Sequence, residues 1–154
     1  MPTIEMFVSL KVPDNVAITA FNTLKKMGYD ELIALERSDY YKFEISGDEK
    51  KFKDEISKVD ILINANKHKF LFSIEKNKDN KNSIVNVLVQ DLDNGSGLLS
   101  VLKERLGFKN IKKIEKGVLW AMHFKKDADA EKNAVDITKN LLMNENYQKF
   151  KILQ

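Results

Sequence analysis

The residues of this chain that could do chemistry are few. Two histidines, His68 and His123, lie in different halves of the 154-residue chain, and neither has an acidic cluster beside it in sequence. A zinc site needs three or four converging ligands, and a Ser-His-Asp triad needs a histidine placed between its partners. Both histidines therefore read as surface or strand-face residues. Cysteine is absent, which excludes thiol nucleophiles, disulfides, iron–sulfur clusters and cysteine-ligated zinc. Asp91, Asp93, Asn94 and Gly95 begin like a calcium loop, but Leu102 stands where the bidentate glutamate would be needed. Gly95-Ser96-Gly97 is too short to cradle a phosphate and has no Lys-Ser/Thr ending, so it reads as a turn with an N-cap at Ser96. These residues predict no catalytic, cofactor-binding or metal-binding site.

Charge adds little. The formal net charge is +3, and of 26 basic residues all but Arg37 and Arg105 are lysine. Arginine is the residue that forks onto phosphates and bases, so the lysine excess reads as compositional bias and solvated faces, with nucleic-acid binding ranked behind it. Tyr40-Tyr41-Lys42-Phe43 invites an RNA-recognition reading, since such modules stack bases on strand aromatics. The Lys/Arg-Gly-aromatic start of that signature is missing: Lys116-Gly117 is followed by Val118. No run approaches the roughly 18 apolar residues of a membrane span. Met1 to Leu10 alternates like a strand rather than forming a signal peptide.

The elements that would position any site come from periodicity. Ile4, Met6, Val8 and Leu10 alternate, predicting a strand. Pro13-Asp14-Asn15 supplies a turn and an N-cap for a helix carrying Val16, Ala20, Leu24 and Met27, which Gly28 ends. Leu32–Arg37 and Tyr40–Ser46 are predicted as a hairpin around Ser38-Asp39. Phe52, Ile56, Val59 and Ile63 mark a second helix, and Lys69–Ile74 a closing strand. The second half repeats the plan: a strand at Ile84–Val89, a helix on Leu99, Leu102 and Leu106 ended by Gly107, a hairpin turning at Gly117, a helix on Ala130, Ala134, Ile137 and Leu141, and a closing strand at Lys149–Leu153.

Residue identities support the repeat. Thr23–Tyr29 resembles Val101–Phe108 with one residue inserted, Glu55–Lys58 resembles Asp136–Lys139, and Ile61–Phe70 resembles Leu141–Phe150, in the same order. Asn64 and Asn144 are expected as helix C-caps; the recurrence of Asn66 and Asn146 has no evident cause. The expected fold is α+β: two tandem ferredoxin-like βαββαβ units, residues 1–76 and 83–154, joined by a polar linker at 77–82. Tyr40, Tyr41, Phe43, Leu119, Trp120 and Met122 make the central strands apolar on both faces. The sheet face without helices should then be covered by the twin unit or another chain.

Leu92-Asp93-Asn94-Gly95, Leu106-Gly107-Phe108, Ile114–Val118 and Leu141–Ile152 make the second half resemble PurS, the small subunit of phosphoribosylformylglycinamidine synthase in purine biosynthesis. The first half is similar through Ser9-Leu10-Lys11, Pro13, Met27-Gly28-Tyr29 and Ile63–Asn66. The family's units pair into dimers, so two in one chain resemble a fused pseudo-dimer with a pseudo-two-fold axis. The resemblance implies a cytoplasmic subunit with no active site and no cofactor, which associates with PurL- and PurQ-like subunits. The family's loop runs Pro-Gly and then Asp-Pro-x-Gly; here it is reduced to Val12-Pro13-Asp14-Asn15 and Asp93-Asn94-Gly95. The expected partner surface is Lys11, Asp14, Asn15, Asp91, Asp93, Asn94 and Gly95 in the loops, with Tyr41, Phe43, Trp120 and Met122 on the sheet. Homo-oligomerisation through sheet faces, an ACT-like ligand-binding module and an RNA-binding module remain open.

Overall fold

A computed structural model describes residues 2–73, 82–92, 95–126 and 128–153. Six strands form one antiparallel sheet: β1 (Thr3–Leu10), β2 (Leu32–Ile45), β3 (His68–Leu71), β4 (Asn82–Asp91), β5 (Ile111–Lys125) and β6 (Gln148–Leu153). Their spatial order is β3-β1-β2-β5-β4-β6. The helices are α1 (Asn15–Lys26), α2 (Glu49–Ile56), α3 (Ser96–Ser100) and α4 (Ala130–Ile137). The last two run on as wider π-helical turns at Val101–Arg105 and Thr138–Leu142. No described helix is long and apolar enough to cross a membrane.

Each half runs strand, helix, strand, helix, strand, and the order of the sheet is unchanged if the halves are exchanged and the list reversed. The pairing repeats at residue level. Phe7 faces Tyr40 as Leu88 faces Leu119, and Val8 faces Phe70 as Val89 faces Phe150. At the centre, Asp39 pairs with Val118, its own counterpart in the second half. The junction expected at 77–82 lies outside the described residues except for Asn82, which opens β4.

Both expected hairpins are corrected. Ser38-Asp39 and Gly117 do not turn the chain; each sits near the middle of one long strand, β2 of 14 residues and β5 of 15. The two long strands pair from Leu32/Phe124 to Ile45/Ile111. Among the described residues each half therefore has three strands, not the four of a βαββαβ unit. The polar residues at Ser38-Asp39 imitate a turn locally, but hydrogen bonds to the other half keep the strand extended. Gly117 is needed for space: a Cβ there would overlap the Val89 carbonyl and stand 3.0 Å from Cα of Gln90.

The four described helices pack on one face, over two cores, and each core draws on both halves. One joins Ile4, Met6, Val8, Phe43, Phe52 and Ile56 to Leu102, Phe108, Ile111 and Ile114. The other joins Ala17, Leu24, Leu32 and Leu35 to Val87, Trp120, Met122, Phe124, Ala134 and Ile137. α1 thus packs with the π turn that continues α4, and just past α1 Tyr29 Oη accepts from Asn140 Nδ2 of that turn at 2.9 Å. The opposite face carries a smaller cluster of strand residues alone, Phe7, Tyr40, Leu88 and Leu119.

Local signals hold at the helix ends. Gly28 and Gly107 have φ of 100° and 77°, the left-handed geometry that glycine takes after a helix. The residue inserted before Gly107 is absorbed by the π turn: Phe108 N–H bonds to Leu102 O where Tyr29 N–H bonds to Leu24 O, and a widened turn is how a helix accommodates one extra residue. Asn64 and Asn144 are not left-handed caps, since no non-glycine residue among those described has positive φ. Each opens a turn into an edge strand. Its side chain accepts from the N–H of Asn66 or Asn146, and its own N–H donates to His68 Nδ1 or Gln148 Oε1. This Asx turn explains why Asn64 and Asn144 recur; Asn66 and Asn146 contribute only a backbone N–H to it.

Candidate functional site

Alternation decides where the expected surface residues go. Phe43, Trp120 and Met122 point to the helix side and are at most 6% exposed. Phe43 meets Phe52 of α2 edge-on at 5.3 Å. Tyr41 is half-buried on the same side, stacked 6.2 Å from Phe43. Burial, and then the neighbouring charge of Asp39, raises its hydroxyl pKa. The apolar sheet surface expected to meet a partner is thus covered by the chain's own helices. The helix-free face presents another set. Phe7 and Tyr40 lie 5.5 Å apart there but are only 6% and 1% exposed, so neither offers a base-stacking platform. Tyr40 Oη donates to Glu5 Oε2 at 2.7 Å. Burial and this bond raise its pKa. Around the cluster, Lys42 and Lys113 pair with Glu115, and His123 with Glu36 at 2.9 Å.

The two loops differ although their places in the repeat correspond. Lys11 is tied down: its N–H donates to Lys67 O, and its Nζ to Ala65 O at 2.7 Å. Asp14 caps α1 by accepting from the N–H groups of Val16 and Ala17. It also receives a fork from Arg37 of β2, Nε at 2.9 Å and Nη2 at 3.2 Å. Partial burial works to raise the Asp14 pKa, but the Arg37 fork and charge and the two N–H bonds outweigh it, so the net shift is downward. Asn15 is exposed at the first turn of α1. In the second loop, Asp91 Oδ1 accepts from Gln148 Nε2 at 3.0 Å. Asp93 and Asn94 lie outside the described residues. Gly95, the counterpart of Asp14, is buried with φ 65°. A Cβ on it would stand 2.9 Å from Ile114 O. Gly95 precedes α3, so Ser96 is its first residue rather than its cap.

Where Gly95 brings its loop against β5, the first loop meets β2 through the Asp14–Arg37 side chains. A cleft of about 250 Å³ lies there, between Ser9, Leu10, Val12 and Asp14 on one side and Leu35 to Ser38 on the other, with Ala17 and Ile18 of α1, Lys69 of β3, and Leu119 and Ala121 of β5 at its margins. A smaller hollow of about 80 Å³ continues past Arg37 to Asp39 and His68. Desolvation raises the Asp39 pKa against the opposing charge of Arg37, although part of its side chain stays open to solvent. No group of three or more metal-ligating side chains occurs among the described residues. Sequence reasoning missed this cleft. Its one signal was Arg37, one of two arginines in a lysine-rich chain, and the forked bond to Asp14 is a use that lysine cannot reproduce.

Compared with known proteins, the chain matches no family model and no curated sequence.

Proposed function

We propose that this chain is a non-catalytic, PurS-like association subunit, two units of a dimer fused in one polypeptide, acting with amidotransferase and glutaminase partners of the PurL and PurQ type in the cytoplasm. The observation that carries the reading is the pairing of Asp39 with its counterpart Val118. Identical surfaces meeting around a two-fold axis place equivalent residues opposite each other, and a fused dimer inherits that register. The shared cores fit the same reading, because a large dimer interface resembles a domain core cut in half. The resemblance in Leu106-Gly107-Phe108 and in the two Asn-x-Asn turns supplies the family. The reading calls for no cofactor.

The test is co-expression with a PurL-like amidotransferase. The chain should co-purify with it and restore its ammonia- or glutamine-dependent activity, while the isolated chain turns over neither glutamine nor ATP. Turnover by the isolated chain, or failure to co-purify or restore activity, overturns the proposal.

A further inference from the structure

Beyond the register Val8–Asp39, β1 leaves β2. From Ala34 to Arg37, β2 then pairs with β5 alone, after a register shift at Ile33. Among the described residues, no backbone group of Ile33–Arg37 bonds to any segment except β5. In a strand, every second residue turns its N–H and C=O to the same edge, so this stretch has an open edge facing the cleft. An open edge is a template for another extended segment. The outer β6 edge is guarded by lysines, Lys149 and Lys151, a common defence against unwanted pairing. The open stretch of β2 has no lysine of its own, and its charged side chains, Glu36 and Arg37, line the cleft with Lys69 of β3. Beside it stand exposed apolar side chains, Val12 at 57% and Ile18 at 46%.

The second half shows what fills such a place. At the corresponding edge of β5, the backbone at Gly95 lies against Ile114, the counterpart of Leu35. In the first half, the loop reaches β2 through the Asp14 and Arg37 side chains, and no other described segment takes the place.

We infer that the cleft between the end of β1 and the first half of β2 receives a short extended segment of a protein partner, apolar where it meets Val12 and Ile18, added to β2 at Ile33–Arg37 by main-chain hydrogen bonds. Strand addition of this kind draws affinity from the backbone and selectivity from alternate side chains. Here those side chains would meet Val12 and Ile18 at one wall and Ala121 at the other. The inference rests on the partner-binding reading above, without requiring that the partner be an amidotransferase.

The test is a displayed library of random dodecapeptides, selected on the intact chain and counter-selected on Ser9→Gln/Ala121→Lys. That variant installs the residues the chain itself uses at the equivalent positions, Gln90 and Lys42, so the fold has precedent for both; a melting midpoint near that of the parent checks it. Selected peptides should bind the variant at least tenfold more weakly and slow amide exchange within Ile33–Arg37. Equal binding to the folded variant, protection confined to other residues, or no enriched peptide overturns the inference. So does sedimentation of the parent as a dimer and of the variant as a monomer, which would make a second copy the occupant. Peptide binding here together with failure to associate with the amidotransferase would leave the cleft standing and remove only the purine assignment.

Discussion

Phe52 of α2 meets Phe108, from the other half of the chain, edge to face, with ring centroids 6.0 Å apart and planes at 79°. Phe52 is 1% exposed and also touches Phe43, so this ring joins the halves within one core. Phe52→Ala should cost about 3–5 kcal/mol, read as a lowered urea midpoint. A loss below about 1 kcal/mol would mean that the core closes without it.

Residues 1–76 alone would lack Leu102, Phe108, Ile111 and Ile114, which complete their core. The isolated half should be either unfolded or a homodimer that replaces the missing half with a second copy. Sedimentation combined with circular dichroism separates these from a folded monomer, the one state the shared core does not permit.

Gly117→Ala should destabilise by about 2 kcal/mol or more, the range of overpacking against backbone that cannot yield. Gly97→Ala is the control: nothing lies within 4 Å of the added carbon and the residue is helical. It should be neutral or stabilising by about 0.4–1 kcal/mol. Chemical denaturation of both variants decides whether space at Gly117 is the reason for the glycine.

Gly107→Val should lower stability by about 1–2 kcal/mol. The added Cβ meets nothing, so the loss would come from φ of 77° alone. A thermal midpoint unchanged from the parent would contradict the left-handed geometry.

The Asp14–Arg37 bond gives a pH signature. Because the folded pKa of Asp14 is lowered, its stabilisation is complete above the unfolded value of about 3.9 and is lost as pH falls through the lower folded value. Asp14→Asn should therefore show a shallower loss of stability below about pH 4 than the parent. Arg37→Lys should recover only part of the bond, since it cannot fork. Parallel acid titrations followed by fluorescence of Trp120 would check both; identical slopes for parent and Asp14→Asn would refute the assignment.

Sequence alone determined what is local. Alternation located β1, β4 and β6, Asp14 announced a cap, Gly28 and Gly107 announced helix ends, and residue identities exposed the repeat, including the inserted residue that becomes a π turn. These signals lie within a few residues of their consequence. Tertiary structure decided whether Ser38-Asp39 and Gly117 turn or continue, because their partners are each other's strands some 80 residues away along the chain. It also decided which face of β2 and β5 is covered. Both faces carry aromatics, and only the placement of α2 and α4 puts Phe43 and Trp120 inside. The cleft at Arg37 was beyond sequence reading for the same reason: it lies where Asp14, from a distant loop, meets Arg37 of β2, and nothing in the periodicity of either segment records the meeting.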